Sequence, residues 1–188
     1  RLASWFQGLL PRRQGRFRHL PQFLSALGAG RAIPDIAPRF LRTILPERSP
    51  AAGSPKYRIG FFSGCATEYV FPEIGKMVVD VLRNLDCEVV FDRRQGCCGA
   101  PVYLSGDFRT ARKMAARNVE AFEDYDFVVT GCATCGSGLS EYPTYLADTP
   151  ERKERFEQFA AKVKDFNEFV IDVLAADLGR LSLKPRFH

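Results

Sequence analysis

Cys97 and Cys98 stand side by side in the stretch Gln95-Gly96-Cys97-Cys98-Gly99-Ala100-Pro101. Adjacent thiolates are soft donors suited to iron or zinc, and the glycine after them lets the backbone fold back toward whatever the sulfurs hold. Three further cysteines give the pair its meaning: Cys65 lies upstream after an apolar run, and Cys132 and Cys135 lie downstream as Cys-x-x-Cys after another. Five of the six cysteines thus follow a strand-like segment. In a parallel sheet the carboxyl ends of the strands share one edge, so ligands far apart in sequence converge there on one centre.

The elements that must position these thiols alternate between strand and helix from Lys56 onward. Tyr57–Phe62 reads as the first strand and ends at Ser63-Gly64-Cys65. Pro72 opens a helix whose apolar residues Ile74, Met77, Val78, Val81, Leu82 and Leu85 recur at steps of three and four. Glu88–Phe91 is the second strand and leads into the cysteine pair. Asp107 caps the next helix, which buries Phe108, Ala111, Ala115, Val119 and Phe122 and turns Arg109, Arg112, Lys113 and Arg117 to solvent. Asp126–Thr130 is the third strand. A helix starting near Ser137 aims its amino end at the Cys-x-x-Cys loop, which lowers thiol pKa values. Helix continues from Glu151 to about Lys164 and restarts at Asp165, with Glu168 completing a capping box. The expected fold is α/β: three-layer βαβ units on a parallel, Rossmann- or flavodoxin-like sheet, its first strand in the middle and its cysteines at the carboxyl edge.

Five thiolates at one edge admit several chemistries. An iron–sulfur cluster is favoured, because cysteine is its usual ligand and because Gly64, Gly96, Gly99, Gly131 and Gly136 flank the groups and free backbone N–H donors for its sulfides. Zinc needs only four donors and leaves one cysteine spare. Thiol–disulfide exchange at Cys132 and Cys135 leaves the adjacent pair unexplained. Cys87 begins a strand at the opposite edge and reads as core. Tyr69, Tyr103 and Tyr142 fall near the centre, more as packing than as chemistry. His19 and His188 offer no catalytic partner, and no glycine-rich dinucleotide motif, Walker loop or Ser/His/Asp set is present.

Composition bounds the rest. With 46% apolar residues among 188, one ordinary core can be buried. No run of about 18 apolar residues and no signal pattern occurs, so a cytoplasmic protein in a reducing compartment is expected. Charge is uneven: residues 1–50 carry nine arginines against Asp35 and Glu47, whereas residues 51–188 carry 18 basic and 20 acidic side chains. Residues 1–55 also hold seven of the twelve prolines, which break Leu2–Leu10, Gln22–Leu27 and Ile36–Leu45 into short amphipathic pieces. This is a basic, proline-rich arm or linker in which Trp5, Phe6, Phe17, Phe23 and Phe40 pack, and no nucleic-acid motif accompanies it. The domain proper spans 56–180, and residues 181–188 open a following, truncated segment.

The pattern Cys65, then Cys97-Cys98-Gly99, then Cys132-x-x-Cys135 resembles the cysteine-rich CCG domain of heterodisulfide reductases and of the iron–sulfur subunits of glycolate oxidase, anaerobic glycerol-3-phosphate dehydrogenase and lactate-utilisation complexes. Ser140-Glu141-Tyr142-Pro143 and Phe166-x-Glu168-Phe169-Val170-x-x-Val173-Leu174 look most like the lactate and glycolate branch. Members of that branch carry a ferredoxin-like domain before this region and a second CCG repeat after it, so the chain resembles the linker and first repeat. The resemblance implies that Cys65, Cys97, Cys98, Cys132 and Cys135 bind a 4Fe–4S cluster, of the noncubane type in heterodisulfide reductase. It also implies electron transfer from a flavoprotein dehydrogenase subunit, alongside other iron–sulfur subunits, toward an acceptor at the inner face of the membrane. In the heterodisulfide reductase branch the cluster itself cleaves a disulfide, and a zinc-stapled interaction module is the non-enzymatic alternative.

Overall fold

The computed structural model describes residues 12–14, 17–19 and 32–175. The expectations for Leu2–Leu10, Gln22–Leu27, Trp5, Phe6, Phe23, His188 and residues 181–188 lie outside these. Strands β1 (Arg12–Gln14), β2 (Phe17–His19) and β3 (Ala32–Pro34) form a small antiparallel sheet in that order. Next come helix α1 (Leu41–Ile44) and strand β4 (Arg48–Ser49). Strand β5 (Tyr57–Phe62) is followed by helices α2 (Gly64–Tyr69) and α3 (Pro72–Asn84), then by β6 (Cys87–Val90). Helices α4 (Ala100–Leu104) and α5 (Phe108–Phe122) lead to β7 (Phe127–Thr130). Helices α6 (Ala133–Ser140), α7 (Tyr142–Tyr145) and α8 (Pro150–Lys162) precede β8 (Val163–Asp165), after which α9 (Phe166–Glu168) passes into a π-helical turn, Phe169–Val173. Among the described residues no helix is long and apolar enough to cross a membrane.

The main sheet runs β4-β6-β5-β7-β8, parallel throughout except for β4. The α/β expectation holds, and β5 is central as its short crossovers require. Strand alternation sends side chains into two layers. Ile59, Phe61, Val89 and Val129 pack with Leu41, Val79, Leu82, Phe169 and Val170 on one face. Phe62, Val90 and Val128 pack with Ala111, Val119, Phe122, Leu139, Phe156 and Phe159 on the other.

Some local expectations need correction. The segment after α8 is a strand: Val163 pairs opposite Val128 and Asp165 opposite Thr130, extending the sheet beside β7. The buried stripe of α3 is Pro72, Gly75, Val78, Val79 and Leu82, while Ile74 and Met77 are exposed. The stripe turned because Gly75 admits Leu41 so closely that a Cβ there would stand 2.5 Å from a Leu41 methyl. Phe108 is also exposed, at the first position of α5, where the helix has not yet reached the sheet. The Asp107 cap is present, accepting from the Thr110 N–H at 3.0 Å, as is the Asp165/Glu168 capping box.

Candidate metal centre

All five candidate cysteines lie beyond the carboxyl ends of β5, β6 and β7. Cys65 stands in the first turn of α2 and is exposed; Cys97 and Cys132 are half-buried; Cys98 and Cys135 are buried; none forms a disulfide. Cys87 sits at the amino end of β6, fully buried in the other layer, as expected. Burial pushes its thiol up to about 11.

The Cys-x-x-Cys segment departs from expectation in where its helix begins. Helix α6 starts at Ala133 with Cys132 as its N-cap residue, so Cys135 belongs to its first turn. The Gly136 N–H is taken up by the Cys132 carbonyl at 2.8 Å. The backbone approaches the Cys135 sulfur closely: Gly64 has φ +68°, and a Cβ there would stand 2.7 Å from Cys135 Sγ. Gly64→Ala should therefore lower the melting temperature of the metal-free protein, since the left-handed backbone alone costs an L-residue roughly 1–2 kcal/mol, and should expel Cys135 from its position. An unchanged melt would contradict the close approach.

The thiols of the cysteine pair and of Cys135 act on one another. The neighbouring Cys135 thiol, with a smaller contribution from burial, raises Cys98 to about 11. The neighbouring Cys98 thiol, and then burial, raise Cys97 further. The Gly99 N–H donates to Cys97 Sγ at 3.5 Å, and Gly99 itself has φ +84°.

The loop from Asp92 to Cys98 is held by side chains that the spacing of cysteines does not reveal. Asn118, on the buried face of α5, accepts from the Gly96 N–H at 2.9 Å and donates to the Cys97 carbonyl at 2.9 Å and to the Tyr142 hydroxyl at 3.0 Å. Tyr142 in turn donates to the Cys98 carbonyl at 2.8 Å. The Gly96 N–H is therefore committed, contrary to the expectation that it is free for a sulfide. Gln95 is buried; its Oε1 accepts from the Ser63 N–H at 3.0 Å and its Nε2 donates to the Phe61 carbonyl at 3.0 Å, tying this loop to the one carrying Cys65. Arg117 is exposed, as expected, and also donates to the Arg94 carbonyl at 2.7 Å, and Arg112 faces Asp148 at 3.6 Å. Of the other tyrosines, Tyr103 donates to Glu141 at 2.7 Å, while Tyr69 lines the cleft beside Cys65. A polar residue inside an apolar helix stripe, as Asn118 is among Ala111, Ala115, Val119 and Phe122, was the signal available in the sequence.

Asp92 anchors the start of the loop. Burial favours its neutral form, but Arg94, bonded to it at 2.7 Å, outweighs this and holds the carboxyl below its ordinary 3.8. A depressed carboxyl contributes stability above the ordinary value and loses it as pH falls through the lower folded value. Acid titration of the metal-free protein should show this loss beginning below pH 3.8, and Asp92→Asn should flatten that limb; identical acid limbs would contradict it.

A small cleft of about 90 Å³ opens between α2 and this loop, lined by Arg42, Ser63, Cys65, Glu68, Gln95 and Cys97 among others. Among the described residues no three His, Cys, Asp or Glu side chains gather tightly enough to grip a single metal ion.

Comparison with known proteins agrees with this geometry. The family model described as a cysteine-rich domain, CCG, matches residues 59–140. The chain is 34% identical over 164 residues to the probable glycolate oxidase iron-sulfur subunit of Bacillus subtilis (strain 168), a match covering 86% of this chain and 36% of that protein. It is 34% identical over 123 residues to lactate utilization protein A of Bacillus thuringiensis (strain Al Hakam) and to lactate utilization protein A 2 of Bacillus mycoides (strain KBAB4), covering 65% of this chain and 52% of each. The chain thus spans 36% to 52% of the length of these relatives. No solved structure matches it. With the cysteine groups following three parallel strands and the family model spanning all of them, residues 59–140 belong to the cysteine-rich CCG domain family.

Proposed function

We propose that this chain is part of an iron–sulfur subunit that carries electrons away from the oxidation of a 2-hydroxy acid, lactate or glycolate, by a flavoprotein partner. In this reading Cys65, Cys97, Cys98, Cys132 and Cys135 hold the cluster, of the 4Fe–4S kind, and residues 56–180 form the domain around it, with 1–55 as a basic arm whose Leu41, Leu45 and strand β4 pack onto that domain and 181–188 opening a further segment. The single observation that carries the reading is the placement of five free cysteines after the carboxyl ends of three neighbouring parallel strands, in a chain whose relatives are named for glycolate oxidase and lactate utilisation.

The donor set suits such a cluster. It is wholly sulfur, as iron–sulfur centres require. Gly64 leaves the Cys135 sulfur unobstructed, since a Cβ there would stand 2.7 Å from it. A zinc ion needs four donors around one point and leaves one of the five cysteines spare, whereas the ligands of a multi-iron centre sit on different irons. When bound, the cluster supplies a one-electron store. The chain's own part is to position the thiols: Gln95 fixes the Cys65 loop against the Cys97 loop, and Asn118 and Tyr142 fix the two carbonyls of the pair. Contact with a membrane acceptor runs through partner subunits.

The test is anaerobic mixing of the iron-loaded chain with a flavin-dependent lactate or glycolate dehydrogenase and its substrate. Bleaching of the visible absorbance that depends on both supports the reading. A loaded chain that stays oxidised, yet turns over a disulfide with a reduced viologen dye, would replace it with disulfide reduction.

A further inference from the structure

Glu68 follows Cys65 by one turn of α2 and is 2% exposed, yet it is only half-satisfied. Its Oε1 accepts from Arg42 Nε at 2.5 Å and, at 3.4 Å, from the Arg42 backbone N–H. Its Oε2 is buried with no hydrogen-bond partner among the described residues. An arginine ordinarily meets a carboxylate through two parallel bonds, and here the guanidinium engages one oxygen through one nitrogen. Leaving a buried oxygen unpaired costs more than an ordinary hydrogen bond returns, so such a group calls for an explanation.

Holding α1 against α2 explains Oε1 alone, because a glutamine at this position could accept the same two bonds without burying a charge. What glutamine lacks is the charge itself. Glu68 and Arg42 line the same cleft as Cys65 and Cys97. The carboxylate is buried there, whereas the Arg42 side chain is 38% exposed and its charge is correspondingly screened by water. Of the two charges on that wall the carboxylate is thus the less screened, and fields act strongly where water is sparse. Adding an electron beside a fixed negative charge is disfavoured, and local charge is one of the determinants of an iron–sulfur potential.

We infer that Glu68, steadied by Arg42, is a positioned charge that lowers the reduction potential of the centre held by the cysteines. This rests on the proposal that those cysteines bind an iron–sulfur cluster. The experiment is a dye-mediated redox titration of the iron-loaded full chain, read by visible absorbance, for the parent, Glu68→Gln and Glu68→Asp, with iron per chain measured on each. Glutamine keeps the shape and loses the charge; aspartate keeps the charge and shortens the reach. A charge role predicts an upward shift of the midpoint in Glu68→Gln and a midpoint near the parent in Glu68→Asp, both retaining iron. A merely structural role predicts the reverse ranking. Equal midpoints in all three overturn the inference, as does an aspartate variant that shifts as far as glutamine, or iron lost from either variant while the parent retains it. A parent chain that takes up no iron overturns the cysteine assignment itself, and this inference with it.

Discussion

Cys98→Ser is expected to leave the protein, purified without oxygen, with iron at background, whereas Cys87→Ser retains the iron of the parent. Cys98 is 3% exposed and is the thiol on which both Cys97 and Cys135 act, so it connects the two cysteine groups. A serine there offers a harder, shorter donor that is poorly matched to iron. Cys87 lies in the opposite layer with its thiol 3.7 Å from the Leu85 carbonyl, and its replacement touches only packing. That variant should lose on the order of 1 kcal/mol of stability from burying a hydroxyl and no iron. Equal iron in the two variants would sink the ligand assignment.

The second large effect is expected at Asn118, which is completely buried. Asn118→Ala removes three hydrogen bonds at once and leaves the part-buried Gly96 N–H and Cys97 carbonyl without their partner. Each buried group left unpaired costs about 1–3 kcal/mol, so the loss should total on the order of 3 kcal/mol. Urea unfolding of the metal-free protein measures it. Because the lost bonds hold the backbone of the cysteine pair, iron retention should fall as well. Tyr142→Phe, which removes only the bond to the Cys98 carbonyl and the acceptor for Asn118, should cost less. A urea midpoint unchanged by Asn118→Ala would show that the loop stands without this clamp.

The parts of the fold that could be read from the sequence are those where one physical signal dominates. Tyr57–Phe62, Cys87–Val90 and Phe127–Thr130 are short β-prone runs, each followed by cysteine and glycine, and they became the parallel centre of the sheet. Pro72 and Asp107 marked helix starts because a proline at the first turn and an aspartate cap act locally. What could not be read depends on partners distant in sequence. Val163–Asp165 carries one apolar residue and continues a helical pattern, and it becomes a strand because β7 offers it an open edge. Arg48–Ser49 is too short to show any period and pairs antiparallel beside Val89 and Val90. Leu41 and Leu45, in the stretch read as arm, are buried beneath α3 and the sheet.

The candidate site divides in the same way. The cysteines were legible because thiol type and spacing are written in the chain. Their supports were not, because Gln95, Asn118 and Glu68 carry ordinary polar side chains whose roles arise only when strands and helices bring them to the loops. Glu68 in particular reads as one more acidic residue on a helix until Arg42, 26 positions away, is seen against it.

Whether the five cysteines hold an iron–sulfur cluster is decided by the iron, acid-labile sulfide and zinc content of the protein purified without oxygen, taken together with its visible spectrum. The expected result is a brown protein with about four iron and four sulfide per chain, as a 4Fe–4S centre requires, and no stoichiometric zinc. A colourless protein holding one zinc, or one that takes up neither metal after reconstitution with iron and sulfide, would contradict the cluster assignment.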